Sequence, residues 1–269
     1  MWLAHDVGPA PGTLEMGTRA TVESPFSHEH WESEKEAARL IQQSLLPTAS
    51  LRGPSFEISY NFSPYAEVGG DFADFFNLPD GRAGIYVGDV AGKGLSAAMY
   101  AALVMGALRG IHKSGVEAAA VLTLLNRRLM VRPVVSRYCA TLYATFEPAT
   151  STLTVSNAGL PYPLVASKTG CSELGQGGIP SGMFDGISYE QYSVQLEPGD
   201  LVLFATDGLH ELRNLADDFL NDAELANWWQ ACRDGSADES LNSLFDRARI
   251  FSSGNGQHDD VTAVVLKAL

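Results

Sequence analysis

Hydrophobic and polar positions along the chain fall into blocks of different period. Residues 1–27 mix Gly, Pro, Thr, Glu and Ser without any period, which predicts a disordered tail. His28 to Leu46 then carries a helical spacing that Pro47 stops. Trp31, Ala38 and Leu45 are seven apart, Ile41 takes the d position between the last two, and Glu34 weakens the earlier d position. Two readings stay open for this linker or regulatory helix: a short dimerising coiled coil over 31–46, or a helix lying on the body of its own domain.

From residue 55 the period shortens to two. Strands are predicted at 56–62, 71–78 and 83–88, with Pro79-Asp80-Gly81 as the turn between the last two. Helices follow at 95–111 and 116–131, and the first is apolar nearly all round, so it is expected to pack on two sides. Further strands are predicted at 139–147, 152–157, 162–166, 189–196 and 201–206, then helices at 222–231 and 238–251, and a last strand at 261–266. Strands and helices come in blocks instead of strict alternation, which predicts an α+β fold of mostly antiparallel sheets flanked by helices. The expected division is a tail (1–27), a linker helix (28–47) and one domain (48–269), with no internal repeat.

Composition narrows the partners. The chain has 269 residues, 45% of them hydrophobic, and 32 acidic side chains against 18 Lys and Arg, for a net charge of −14. Such a surface repels a phosphate backbone, so nucleic acid is not expected as a partner. Cys139, Cys171 and Cys232 are far apart and odd in number, which suits neither a disulfide framework nor a zinc knuckle and fits a reducing cytoplasm. The first residues carry no signal-peptide pattern. The longest uncharged apolar stretch, Gly94 to Leu108, is shorter than the roughly 20 residues of a membrane span. A cytoplasmic protein without membrane contact is the expectation.

Acidic residues carry the candidate chemistry. Asp71 follows Gly69-Gly70 at the start of a strand, and Asp89 closes the apolar strand 83–88. Asp207 closes the run Leu201 to Ala205, and Asp259-Asp260 opens the final strand. A carboxylate at the mouth of a buried strand is costly unless it is solvated, paired or bound to metal. Taken singly, each Asp beside Gly reads as a turn cap. Taken together, convergent carboxylates without a His or Cys set are the ligand chemistry of Mg²⁺ or Mn²⁺. Gly88-Asp-Val-Ala-Gly-Lys-Gly94 is not a Walker A loop, because Gly stands where Ser or Thr must follow the Lys. Gly69-Gly-Asp71 begins like the diguanylate cyclase signature, but Phe72 replaces its Glu and no nucleotide loop is present. His258, beside the Asp pair, reads as a loop histidine.

Six segments in register resemble the PPM-type metal-dependent protein phosphatases (protein phosphatase 2C-like), in their SpoIIE/RsbU branch. They are Ala37-Ala-Arg-Leu-Ile-Gln-Gln-Ser-Leu-Leu-Pro47, Glu67-Val-Gly-Gly-Asp-Phe-Ala-Asp-Phe75 and Gly88-Asp-Val-Ala-Gly-Lys-Gly-Leu-Ser-Ala-Ala98. The others are Asn157-Ala-Gly-Leu-Pro-Tyr-Pro-Leu164, Leu196-Glu-Pro-Gly-Asp-Leu-Val-Leu-Phe-Ala-Thr-Asp-Gly208 and Asp259-Asp-Val-Thr262. The resemblance covers about residues 37–269 and implies an αββα sandwich with two Mn²⁺ or Mg²⁺ ions at one end. By position, Asp89 would bridge both ions, Asp71 and the Val90 carbonyl would serve one, and Asp207 and Asp259 the other. Glu67, Gly70, Asp74 and Asp260 would stand behind these ligands.

The implied reaction is hydrolysis of phosphoserine or phosphothreonine by direct attack of a water held between the ions. The implied substrate is a signalling protein of the anti-anti-sigma (STAS) type. Regulation in this branch commonly comes from a sensor through the linker helix; here a homodimer through 31–46 or a separate sensor or activator would take that part. Two positions depart from the branch: Lys93 and Leu160 stand where His is common. Lys93 would either contact the phosphate or screen the acidic cluster. Those departures keep open an alternative, a catalytically weak or inactive phosphoprotein-binding module of the same fold.

Overall fold

The computed structural model describes residues 28–112, 116–255 and 257–269; the expected tail, 1–27, lies outside the described residues. Helix α1 (His28–Leu45) leads into β1 (Leu51–Gly53), β2 (Phe56–Ser63), β3 (Phe72–Asn77) and β4 (Ala83–Val90). Helices α2 (Leu95–Ile111) and α3 (Ala118–Met130) follow, then β5 (Cys139–Glu147), β6 (Thr152–Ala158), β7 (Leu164–Ser167), β8 (Gly170–Glu173), β9 (Tyr192–Gln195) and β10 (Leu201–Ala205). A 3₁₀ turn at Asp207–Leu209, α4 (Asp222–Ala231), α5 (Ala237–Phe251) and β11 (Val261–Ala268) complete the chain.

The strands form two antiparallel sheets. One has the order β1-β2-β11-β10-β7-β8 and the other β3-β4-β5-β6-β9. Period-two alternation explains how they stack. Along β4, Ala83, Ile85 and Val87 join Phe146, Val155, Phe204 and Val264 in the core between the sheets. On the other face of the same sheet, Tyr86 and Val90 pack against α2 and α3 through Val104, Leu108, Val121 and Leu125. The second sheet does the same with Leu203 and Val265, which meet Leu225, Trp229 and Leu244 of α4 and α5. Two faces buried per sheet give the expected four-layer αββα sandwich. Each large apolar side chain so buried contributes about 1.5–3 kcal/mol relative to exposure.

The helical layers differ in finish. Asn221 caps α4, and Ser236 with Glu239 forms a capping box on α5. On the opposite side, α2 begins at Gly94 without a side-chain cap. Its expected packing on two sides is not observed: Leu95, Met99 and Leu103 are 43%, 69% and 55% exposed. For α1 the reading of a helix lying on its own domain is met at its C-terminal end. Leu45 and Leu46 pack on the core beneath α2, while Trp31 and Ile41 remain exposed. Among the described residues, no helix is long and apolar enough to cross a membrane.

Candidate metal centre

Register brings the acidic residues to one end of the sandwich. Phe72 pairs with Gly88 across β3 and β4, which sets Asp71 beside Asp89. In the facing sheet Ala205 pairs with Ala263, so β10 ends and β11 begins at the same edge, with Asp207, Asp259 and Asp260 just beyond. Thr206 ties the two sheets together. Its hydroxyl donates to Asp71 Oδ2 at 2.8 Å and accepts from the Thr262 N–H at 3.0 Å.

Burial makes these carboxylates expensive to ionise. Asp71 is 1% exposed, and desolvation followed by the neighbouring charge of Asp89 holds its carboxyl well above the usual range. Asp89 is pushed up to about 7, first by burial and then by Asp207 and Asp259. Asp207 moves in the same direction, from desolvation and the charge of Asp259. The missing ingredient is positive charge, and all the donors are oxygens, which suits a hard divalent cation. Gly70 leaves the space such a group needs: a Cβ there would stand 2.8 Å from the Val90 carbonyl oxygen and 3.2 Å from Asp89 Oδ1. The donor set therefore fits Mg²⁺ or Mn²⁺. Among the described residues, no three acidic, His or Cys side chains are already drawn into a finished coordination set. Asp71 is engaged with Thr206, and Asp259 Oδ2 lies 2.7 Å from Lys93 Nζ.

The expected supporting residues divide. Asp260 is buried and accepts from the backbone N–H groups of Tyr65 and Gly70 at 2.8 and 2.9 Å, so it fixes the loop before Asp71. Asp74 is not brought to the cluster. It faces the helical layer, where Arg109 Nη2 at 2.8 Å and the Tyr86 hydroxyl at 3.0 Å donate to it. Glu67 also points away, with Lys35 at 3.8 Å. Leu160 is 6% exposed and packs in the inter-sheet core, where a His would lose its apolar contacts.

Other residues shape the site without a sequence signal of their own. Gln42 of α1 clamps Gly69 by two bonds: its amide donates to the Gly69 carbonyl at 2.8 Å and its oxygen accepts the Gly69 N–H at 3.1 Å. Arg137 donates to the Ala91 carbonyl and, at 2.6 Å, to the Ser96 hydroxyl, holding the loop between β4 and α2. Glu211 is raised by partial burial and by the charges of Asp207 and Asp259, which places it at the rim.

The chain and its fold have known relatives. Residues 79–269 match the family described as Stage II sporulation protein E (SpoIIE), and the chain belongs to that family. The phosphoserine phosphatase RsbU of Bacillus subtilis is 26% identical over 237 residues, covering 87% of this chain and 70% of RsbU. Among solved structures, the SiaA-PP2C domain of Pseudomonas aeruginosa superposes with a TM-score of 0.79 at 19% identity, covering 89% of this chain and 96% of that one. A structure of RsbU and RsbW domains from Mycobacterium tuberculosis superposes with a TM-score of 0.68 at 25% identity, covering 80% of this chain and 60% of that one.

Proposed function

We propose that this chain is a Mg²⁺- or Mn²⁺-dependent protein serine/threonine phosphatase acting on a phosphorylated signalling protein. The observation that carries this reading is the group of strand-end carboxylates, with buried Asp71 beside partly buried Asp89, in a chain of the SpoIIE family. The naming of RsbU as a phosphoserine phosphatase supports phosphoserine as the bond hydrolysed. The RsbU–RsbW structure supports a substrate in the same kind of sigma-factor switch, of the anti-anti-sigma type.

Asp71, Asp89, the Val90 carbonyl, Asp207 and Asp259 would hold two such ions. When bound, divalent ions supply Lewis acidity toward water and neutralise the charge of a phosphoryl group. The chain's own contribution is placement. Strand ends from two sheets hold the carboxylates, Thr206 orients Asp71, and Asp260 with Gln42 fixes the loop over Gly69 and Gly70. The Thr206 hydroxyl is buried and spent on Asp71, so no protein nucleophile is assigned.

Regulation is proposed to enter through α1. Trp31 and Ile41 leave an apolar surface for a homodimer or a separate activator, and Gln42 carries the helix's position to the metal loop. The test is hydrolysis of p-nitrophenyl phosphate and of a phosphoserine protein with Mn²⁺, Mg²⁺ or EDTA. Turnover that needs the metal and vanishes in Asp89→Asn supports the enzyme. Binding of a phosphoprotein without turnover under any metal would favour the binding-module reading instead.

A further inference from the structure

Lys93 sits in the turn that leaves β4, between Gly92 and Gly94, whose φ angles are +100° and +72°. These left-handed positions swing the Lys93 side chain out of the β4–α2 loop and across to the segment before β11. There its ammonium meets Asp259 Oδ2 at 2.7 Å and donates to the His258 carbonyl at 2.6 Å. It also lies 5.1 Å from the centre of the Tyr65 ring, a cation–π distance. Two of its three N–H donors are thus committed to oxygens of one loop. The loop at the other end is itself fixed, since Arg137 holds Ala91 and Ser96. A flexible surface lysine would not be anchored at both ends in this way.

We propose that Lys93 is a built-in counter-cation for the Asp259 side of the metal centre, which a divalent ion must displace before it can bind there. The inference rests on the metal-dependent reading given above. It has a consequence for the order of filling. Among the described residues, no Lys or Arg pairs with Asp71 or Asp89, and the side they form with the Val90 carbonyl takes its ion first. The Asp207–Asp259 side takes its ion second and more weakly. Displacement also frees the Lys93 ammonium at the rim of the site, where a phosphoryl dianion would arrive.

Binding of Mn²⁺ to the full chain, followed by the electron paramagnetic resonance signal of free Mn²⁺, tests this without reference to turnover. Lys93→Met removes the charge and keeps an unbranched side chain one atom shorter; Lys93→Gln repeats the test with a neutral polar side chain; Lys93→Arg keeps the charge. In both neutral variants the weakest Asp89-dependent Mn²⁺ is expected to bind roughly ten-fold tighter, as removal of a unit charge beside a divalent ion requires. Lys93→Arg is expected to stay near the wild-type affinity. Equal or weaker binding in Lys93→Met and Lys93→Gln, while Asp89→Asn still abolishes an ion, overturns the role of Lys93 and leaves the metal centre standing. Mn²⁺ binding that is indifferent to Asp89→Asn in every background overturns the centre and this inference with it.

Discussion

Asp71 and Asp74 lie three positions apart on one stretch of chain, and the protein treats their charges in opposite ways. Strand alternation turns them to different faces: Ala73 and Phe75 point between the sheets with Asp71, while Phe72 points with Asp74 to the helical layer. Asp74 receives a cation from within, the Arg109 guanidinium, together with the Tyr86 hydroxyl. Asp71 receives the neutral Thr206 hydroxyl and lies beside a second carboxylate, Asp89. One acid is a finished structural link between β3, α2 and the end of α1, since Arg109 also donates to the Leu45 carbonyl at 2.6 Å. The other is left short of positive charge at the end of the sandwich. That contrast separates an acid that serves the fold from one proposed to serve a metal ion.

The largest effect expected from breaking the contrast is on catalysis. Asp89→Asn should lower metal-dependent phosphatase turnover by roughly 10³-fold, in the range seen when one main electrostatic contact to a transition state is lost. The same substitution should leave the metal-free protein as stable as wild type or more so at neutral pH, because it removes a partly buried charge that other carboxylates repel. Chemical denaturation in EDTA reads the second half of that outcome.

On the other side of the comparison, Arg109→Met should cost about 2 kcal/mol of stability by leaving Asp74 without its cation. The guanidinium is partly open to solvent, which keeps the cost below that of a fully buried pair. Urea unfolding with a metal-loaded control measures it. A loss of that size with the metal affinity unchanged would confirm that Asp74 does not serve the site.

A smaller effect concerns pH. The Asp89 carboxyl rises on folding from 3.8 to about 7, so the folded chain holds a proton that the unfolded chain releases earlier. Its contribution to metal-free stability therefore falls as pH rises between those two values. The melting temperature of Asp89→Asn minus that of wild type, both in EDTA, should grow across that range; a flat difference would count against the burial of this charge. The smallest effect is expected at Glu67. Its contact with Lys35 is long and exposed, so Glu67→Gln should shift stability by no more than about 0.5 kcal/mol in thermal melts.

Much of the architecture is legible in the sequence because the periods are strong. The strands β4, β5 and β11, buried along nearly their whole length, fall where the pattern puts them. The missed elements are short or chemically neutral. β1 is three residues long, and β8 reads Gly-Cys-Ser-Glu, with little of the β-branched or aromatic character that marks a strand. The acidic cluster is visible in the sequence because Asp at the mouth of an apolar run is costly. Their helpers were not, since Gln42 and Arg137 act through backbone atoms that only the tertiary fold brings near. The resemblance put Asp74 and Glu67 behind the ligands; in the structure Asp74 turns to Arg109 and Tyr86 in the helical layer, and Glu67 lies exposed near Lys35. The outer face of α2 shows the limit from the other direction: its apolar residues promise a covering layer that the described residues do not provide.

The most direct measurement is anomalous X-ray diffraction at the manganese edge from crystals of the full chain grown with Mn²⁺. Two peaks are expected at the acidic end of the sandwich, both within coordination reach of Asp89, one shared with Asp71 and the Val90 carbonyl and the other with Asp207 and Asp259. Manganese bound elsewhere, with no peak at Asp89, would contradict a metal centre at this site.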